Sequence, residues 1–193
     1  MMAALLSALL LATTLHVPIE RYVLPNGLVV ILHEDHRLPT VVVDITFRVG
    51  SKDEKPGRTG FAHLFEHLMF MGTKNVPNGV FDALLYGAGG YDTASTNEDY
   101  TNYFDTGPSN LLETFLWLEA DRLSTLPDDM TKAKVDLQRD VVLNERRQSY
   151  ENRPYGRAQL ALPDKLYPAG HPYHHPVIGS HADLAAASVE DVK

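Results

Sequence analysis

Two histidines and a glutamate, His63, Glu66 and His67, stand at i, i+3 and i+4 within the stretch from Thr59 to Gly72. On a helix this spacing puts both imidazoles on one face, one turn apart, with a carboxylate beside them. Such a face is a way to hold a metal ion. Phe70 continues it at i+7, while Phe61, Leu64, Phe65, Leu68 and Met69 repeat on nearly the opposite side at the period of a helix pressed on a core. Thr59 is the expected N-cap and Gly72 the expected stop. The plainer reading is two solvated histidines on a polar helix face.

A catalytic zinc ion takes three protein ligands and keeps one position open. The chain has no Cys, so the third ligand must be a carboxylate. It must come from a distant segment, because one helix face cannot enclose the ion. Glu145 is the candidate, sharing a helical face with Gln138, Val142 and Ser149. It reads equally well as a solvated carboxylate paired with Arg146 or Arg147. Glu66 is poorly placed to ligate beside both histidines, and its expected role is general base. A zinc ion with a carboxylate base beside it is the equipment for metal-assisted amide hydrolysis.

Around this stretch, Glu20–Leu24 and Leu28–Leu32 read as strands of a hairpin turning at Asn26-Gly27. Thr40 to Val49 alternates as a third strand, with Val41, Val43, Ile45, Phe47 and Val49 on one face. Ser51 to Arg58 is a charged loop leading into the histidine helix. A short helix is expected over Val80–Tyr86, then strands over Tyr91–Thr96 and Tyr100–Asp105. A core helix should open at Pro108-Ser109 and end near Pro127, with Trp117 packed inside. Met130 to Tyr150 reads as a long charged helix, and Tyr155 to Leu166 as one broken at Pro163. His171 to His181 reads as a loop whose histidines form no second metal site, and Leu184 opens a last helix. Strands, a helix, strands and then helices predict an α+β fold with a mixed, largely antiparallel sheet packed against helices.

The chain has 193 residues, 44% hydrophobic and 22% charged, ordinary for one globular domain. A net charge of −8 without a basic cluster argues against a nucleic-acid partner. The uncharged apolar run Met1–Leu15 is too short for a stable membrane span. It is similar to the apolar part of a secretory signal, without a basic start. A possible signal remnant over residues 1–18, ahead of a domain over 19–193, makes a periplasmic or secreted protein the expectation and a cytoplasmic one the alternative.

The stretch Gly57 to Thr73, with its H-x-x-E-H core, resembles the pitrilysin/insulinase family, peptidase family M16. So do Gly89-Gly90 through Thr96, Asp99 to Phe104, Trp117 to Arg122, Val141 to Arg147, and His171-Pro172-Tyr173 with Val177 to Ser180. The resemblance implies an M16 metallopeptidase-like α+β domain and a Zn2+ ion on His63, His67 and Glu145, with Glu66 as base. It implies that Thr93, Ala94, Ser95 and Thr96 form an exposed edge that pairs with an extended peptide substrate. It also implies a chamber closed by a second related domain or subunit, and further strands and a helix after Lys193. On that basis the expected function is zinc endopeptidase, poorly active as an isolated domain, with a non-catalytic assembly subunit as the alternative. Two positions depart from the pattern: Gln138 stands where a Glu is common, and Thr93 where Asn is common.

Overall fold

The computed structural model describes residues 17–192, so the apolar run ending at Leu15 lies outside the described residues. The chain divides after Pro39 into a small and a large unit. The small unit holds a hairpin of β1 (Glu20–Val23) and β2 (Val29–Leu32), paired antiparallel from Glu20↔Leu32 to Val23↔Val29. Its turn forms as the Asn-Gly pair predicts. Gly27 takes φ 89°, the Leu28 amide donates to Asn26 Oδ1 at 3.1 Å, and the Leu24 amide donates to the Leu28 carbonyl at 2.9 Å.

The large unit is built on a three-stranded antiparallel sheet in the order β3 (Thr40–Phe47), β5 (Thr101–Pro108), β4 (Tyr91–Thr96). The predicted alternation is present in β3: Val41, Val43, Ile45 and Phe47 are half-buried, while Val42, Asp44 and Thr46 are exposed. Five longer helices accompany the sheet: α1 (Phe61–Leu68), α2 (Val80–Gly87), α3 (Leu112–Thr125), α4 (Lys132–Arg146) and α5 (Gly156–Leu166). Two short ones follow, α6 (His181–Ala185) and α7 (Val189–Val192). No helix among the described residues is long and apolar enough to cross a membrane.

α1 lies against α4 and β4. Its apolar stripe works as the period predicts: Leu64 and Leu68 are fully buried, in one cluster with Met69, Tyr103, Val135, Val142 and Leu184. Truncating such a leucine to alanine costs about 2–5 kcal/mol. A second cluster, with Leu85, Leu111, Phe115 and Leu118, packs on Val41 and Val43 of β3.

The structure revises several sequence expectations. Thr59 does not cap α1. Gly60 is the N-cap at φ 90°, and the Thr59 hydroxyl donates instead to Asp183 Oδ2 at 2.5 Å. Trp117 is not packed inside: it is 54% exposed. α3 turns a mixed face inward, burying Glu119, Asp121 and Arg122 with Phe115 and Leu118. α5 runs unbroken through Pro163. The proline ring fixes a φ that suits a helix, and exposed Gln159, whose carbonyl would take the lost bond, is open to solvent. The long charged helix stops being α-helical at Arg146 and continues as a π-helical turn, Arg147–Glu151.

The buried polar residues of α3 pair with one another, pack on Tyr103 of β5 and bond to the loop after α1. Arg122 Nε donates to Glu119 Oε2 at 3.2 Å, and its guanidinium stands 4.9 Å from the Tyr103 ring centre and 5.1 Å from that of Phe81. Asp121 accepts from the Thr73 hydroxyl at 2.5 Å and from Asn75 Nδ2 at 2.6 Å. On β5, Asp105 lies directly opposite Asp92 of β4 and is 1% exposed. Burial, with Glu119 close by, pushes its carboxyl up to about 8.

Candidate metal centre

α1 contributes His63, Glu66 and His67, and α4 brings Glu145 to them from far along the chain. The Nε2 atoms of His63 and His67 lie 3.3 Å apart. Glu145 Oε2 lies 3.6 Å from the first and 3.3 Å from the second. Three ligand atoms around a zinc ion at about 2.0–2.1 Å, in tetrahedral geometry, would be separated by about 3.3 Å. The triangle formed by the two nitrogens and the oxygen has nearly these edges, so the donor set and its spacing fit such an ion. It is the one group of this kind among the described residues.

His63 and Glu145 lean toward their ligating forms, while His67 leans toward its protonated one. Burial, reinforced by the neighbouring His67, holds His63 down at about 4, so its imidazole is neutral at ordinary pH. Burial also pulls His67 down, but the hydrogen bond and charge of Glu145, with Glu66 adding to them, outweigh it and raise the group. Glu145 is lowered in turn, chiefly by its bond to His67. The competing reading of Glu145, a partner of Arg146 or Arg147, is not what the side chains do. Arg146 Nε donates to Glu151 at 3.1 Å, and Arg147 donates to Asn144 Oδ1 at 2.6 Å.

Around the triangle, His67 Nδ1 donates to Gln138 Oε1 at 3.3 Å. In the neutral imidazole with its proton on Nδ1, this bond leaves Nε2, which faces Glu145 Oε2 at 3.3 Å, free to ligate. Thr96 Oγ1 donates to Glu66 Oε2 at 2.5 Å. Burial raises the Glu66 carboxyl, and the Thr96 bond and His67 only partly offset it. These side chains open on a cleft of about 400 Å³ whose lining includes His63, Glu66, Ser95, Thr96, Glu145 and Tyr150. β4 pairs with β5 on one side and lies at the edge of its sheet among the described residues, so Thr93, Ala94, Ser95 and Thr96 stand on an open edge.

Two features of the site escape sequence reasoning. Helical spacing assigns Ser149 to the Glu145 face, but the π turn brings Tyr150 to the cleft. Glu54 looks like one more charge in a loop, yet it accepts from the amides of Gly60 and Ala62 at the start of α1. The histidines of the late loop have local partners. His174 Nδ1 donates to the Tyr167 carbonyl at 2.9 Å, His171 stacks on Tyr167, His175 meets Glu54 at 2.9 Å, and His181 meets Glu151 at 2.7 Å.

A family model described as Insulinase (Peptidase family M16) matches residues 29–175. The chain is 34% identical over 175 residues to the "Zinc protease PqqE" of Helicobacter pylori, covering 90% of this chain and 39% of that protein. The crystal structure of a protease from Helicobacter pylori superposes with a TM-score of 0.86 at 33% identity, covering 91% of this chain and 42% of that one. A peptidase M16 inactive domain from Pseudomonas fluorescens shares the fold, with a TM-score of 0.79 at 19% identity over 90% of this chain and 42% of that one. The chain therefore spans about two fifths of the length of these relatives.

Proposed function

The chain belongs to the insulinase family, peptidase family M16, and from that premise we propose that it is the zinc-bearing part of an endopeptidase acting on peptides or unfolded segments. The observation that carries this reading is the convergence of His63 Nε2, His67 Nε2 and Glu145 Oε2 with the Glu66 carboxylate beside them. His63, His67 and Glu145 hold the ion. When bound, it supplies Lewis acidity, which makes water a nucleophile near neutral pH and polarises a carbonyl.

The remaining chemistry belongs to the side chains. Thr96 engages Oε2 of Glu66 and leaves Oε1 to take the proton of the attacking water and pass it to the leaving amine. A carboxyl raised by burial is better matched to that exchange than a fully solvated one. The edge of β4, from Thr93 to Thr96, receives the substrate backbone as an added strand, a mode that reads the main chain and tolerates varied side chains. A second related domain or subunit closes the chamber over this cleft, in an exported protein.

The test is paired. Zinc content and peptidase activity are measured for the wild-type chain, for Glu66→Gln and for a His63→Ala/His67→Ala variant, each alone and mixed with a second family half. The expected result is about one zinc per chain in the wild type and in Glu66→Gln, none in the double variant, and activity only in the wild type. Unchanged zinc in the double variant would refute the site. A second reading, a non-catalytic partner subunit, draws support from the inactive M16 domain that shares this fold. It predicts zinc binding without cleavage even when the second half is supplied.

A further inference from the structure

The two histidines of the site are held in different ways. His67 has Gln138 as a hydrogen-bond partner on its outer nitrogen. His63 Nδ1 is buried with no hydrogen-bond partner among the described residues. The direction of the His63 ring is therefore set by the backbone that carries it, the first turn of α1.

That turn has no cap of its own. Gly60, the N-cap, offers no side chain, and the first amides of a helix need acceptors from elsewhere. Glu54 supplies them. Its Oε2 accepts from the Gly60 amide at 2.9 Å and its Oε1 from the Ala62 amide at 2.8 Å. A carboxylate at this end also opposes the positive end of the helix dipole. The Glu54 side chain is only 5% exposed, and His175 Nε2 stands 2.9 Å from its Oε2. The segment around His175 closes on the same turn: Gly179 packs against Gly60, and the Ser180 amide donates to Thr59 Oγ1 at 3.0 Å.

We propose that Glu54 is the positioning residue for His63, held in place by His175, so that one of the three metal ligands is aimed by a carboxylate that never touches the ion. The proposal rests on the zinc reading given above. Removing Glu54 would release one ligand and leave the other two in place, because His67 is oriented by Gln138 and Glu145 is fixed on α4. The loss would therefore appear as weaker, distorted metal binding and not only as a less stable fold.

The experiment uses the whole chain and two readouts: zinc affinity by competition with a chromophoric chelator, and the visible spectrum of the Co2+-loaded protein. Both are taken at a temperature where circular dichroism shows each variant fully folded. Glu54→Gln, which keeps the shape but loses the charge and one acceptor, is expected to weaken zinc binding by roughly 10–100-fold and to alter the Co2+ spectrum. His175→Ala is expected to weaken it several-fold, and His175→Gln, which can still donate to Glu54, to restore it. Wild-type affinity and spectrum in a folded Glu54→Gln variant would overturn the proposal, whatever happens to its melting temperature. If Glu54→Gln does not fold, equal affinity of His175→Ala and the wild type overturns it instead. A wild-type chain that takes up no zinc would overturn the metal reading itself, and this proposal with it.

Discussion

The outer nitrogen of His67 on α1 and the side-chain oxygen of Gln138 on α4 meet at 3.3 Å across 71 residues of sequence. A neutral amide thus orients an imidazole of the candidate metal centre where a carboxylate could stand. Gln138→Ala is expected to lower zinc affinity roughly 10–100-fold, and Gln138→Glu to raise it, since a charged acceptor makes the imidazole a stronger donor to metal. Chelator competition measures both. Equal affinities in all three proteins would mean that this bond does nothing for the site.

Asp105 sets a pH dependence of stability. It faces Asp92 across the strand pair, with Glu119 and Arg122 packed over it from α3. Its folded carboxyl sits at about 8, against 3.8 for a free one. The folded state therefore keeps a proton that the unfolded chain has lost, and stability contributed by this group falls as pH rises from about 4 through about 8. Asp105→Asn carries no such charge. The variant should gain on the wild type as pH rises, by up to about 1.4 kcal/mol per pH unit between about 4 and 8 and no further above that. Urea unfolding of both proteins from pH 5 to pH 9 checks this, and a difference that does not change with pH would contradict it.

Gly179 and Gly27 both have positive φ, 71° and 89°, yet should respond differently to a methyl group. A Cβ on Gly179 would stand 2.3 Å from the Thr59 carbonyl oxygen and 2.4 Å from Gly60 Cα, backbone that cannot move aside. A Cβ on Gly27 meets nothing within 4 Å. Gly27→Ala should cost about 1 kcal/mol, the backbone term alone. Gly179→Ala should cost about 3 kcal/mol or more. Comparable melting temperatures for the two variants would show that the approach of Gly179 to Gly60 is not tight.

Arg122 is both half of a buried ion pair with Glu119 and a planar group close to Tyr103, Phe81 and Phe70. A lysine keeps the charge but neither the fork nor the flat surface. Arg122→Lys is expected to cost about 3 kcal/mol, while the double variant Glu119→Gln/Arg122→Met should cost less than the two single changes summed. Additive costs in denaturant unfolding would count against coupling between the two.

What the sequence made legible follows the range of the forces involved. The Asn-Gly turn, the alternation of β3 and the amphipathic α1 are decided by near neighbours, and they stand close to where their patterns put them. The pairing of His63 and His67 is equally local, one helical turn. The approach of Glu145 depends on how α4 packs on α1, and its spacing left two readings even. Trp117 and the buried Arg122 invert the usual preference because an ion pair and three aromatic rings satisfy the arginine from outside its own helix. The capping of α1 by Glu54 instead of Thr59 was likewise beyond local rules, since Asp183, 124 residues on, draws Thr59 away.

The π turn after Glu145 has a consequence for what sequence change the site can absorb. An α-helix advances its side chains by about 100° per residue. One residue more or fewer between Arg147 and Glu151 would act as a rotation, not as a change of length. It would leave Gln138 and Glu145 facing His63 and His67 and turn Tyr150 away from the cleft. The number of residues in this segment therefore sets which side chain reaches the cleft, alongside the identities of Tyr150 and of Glu151, which meets Arg146 and His181.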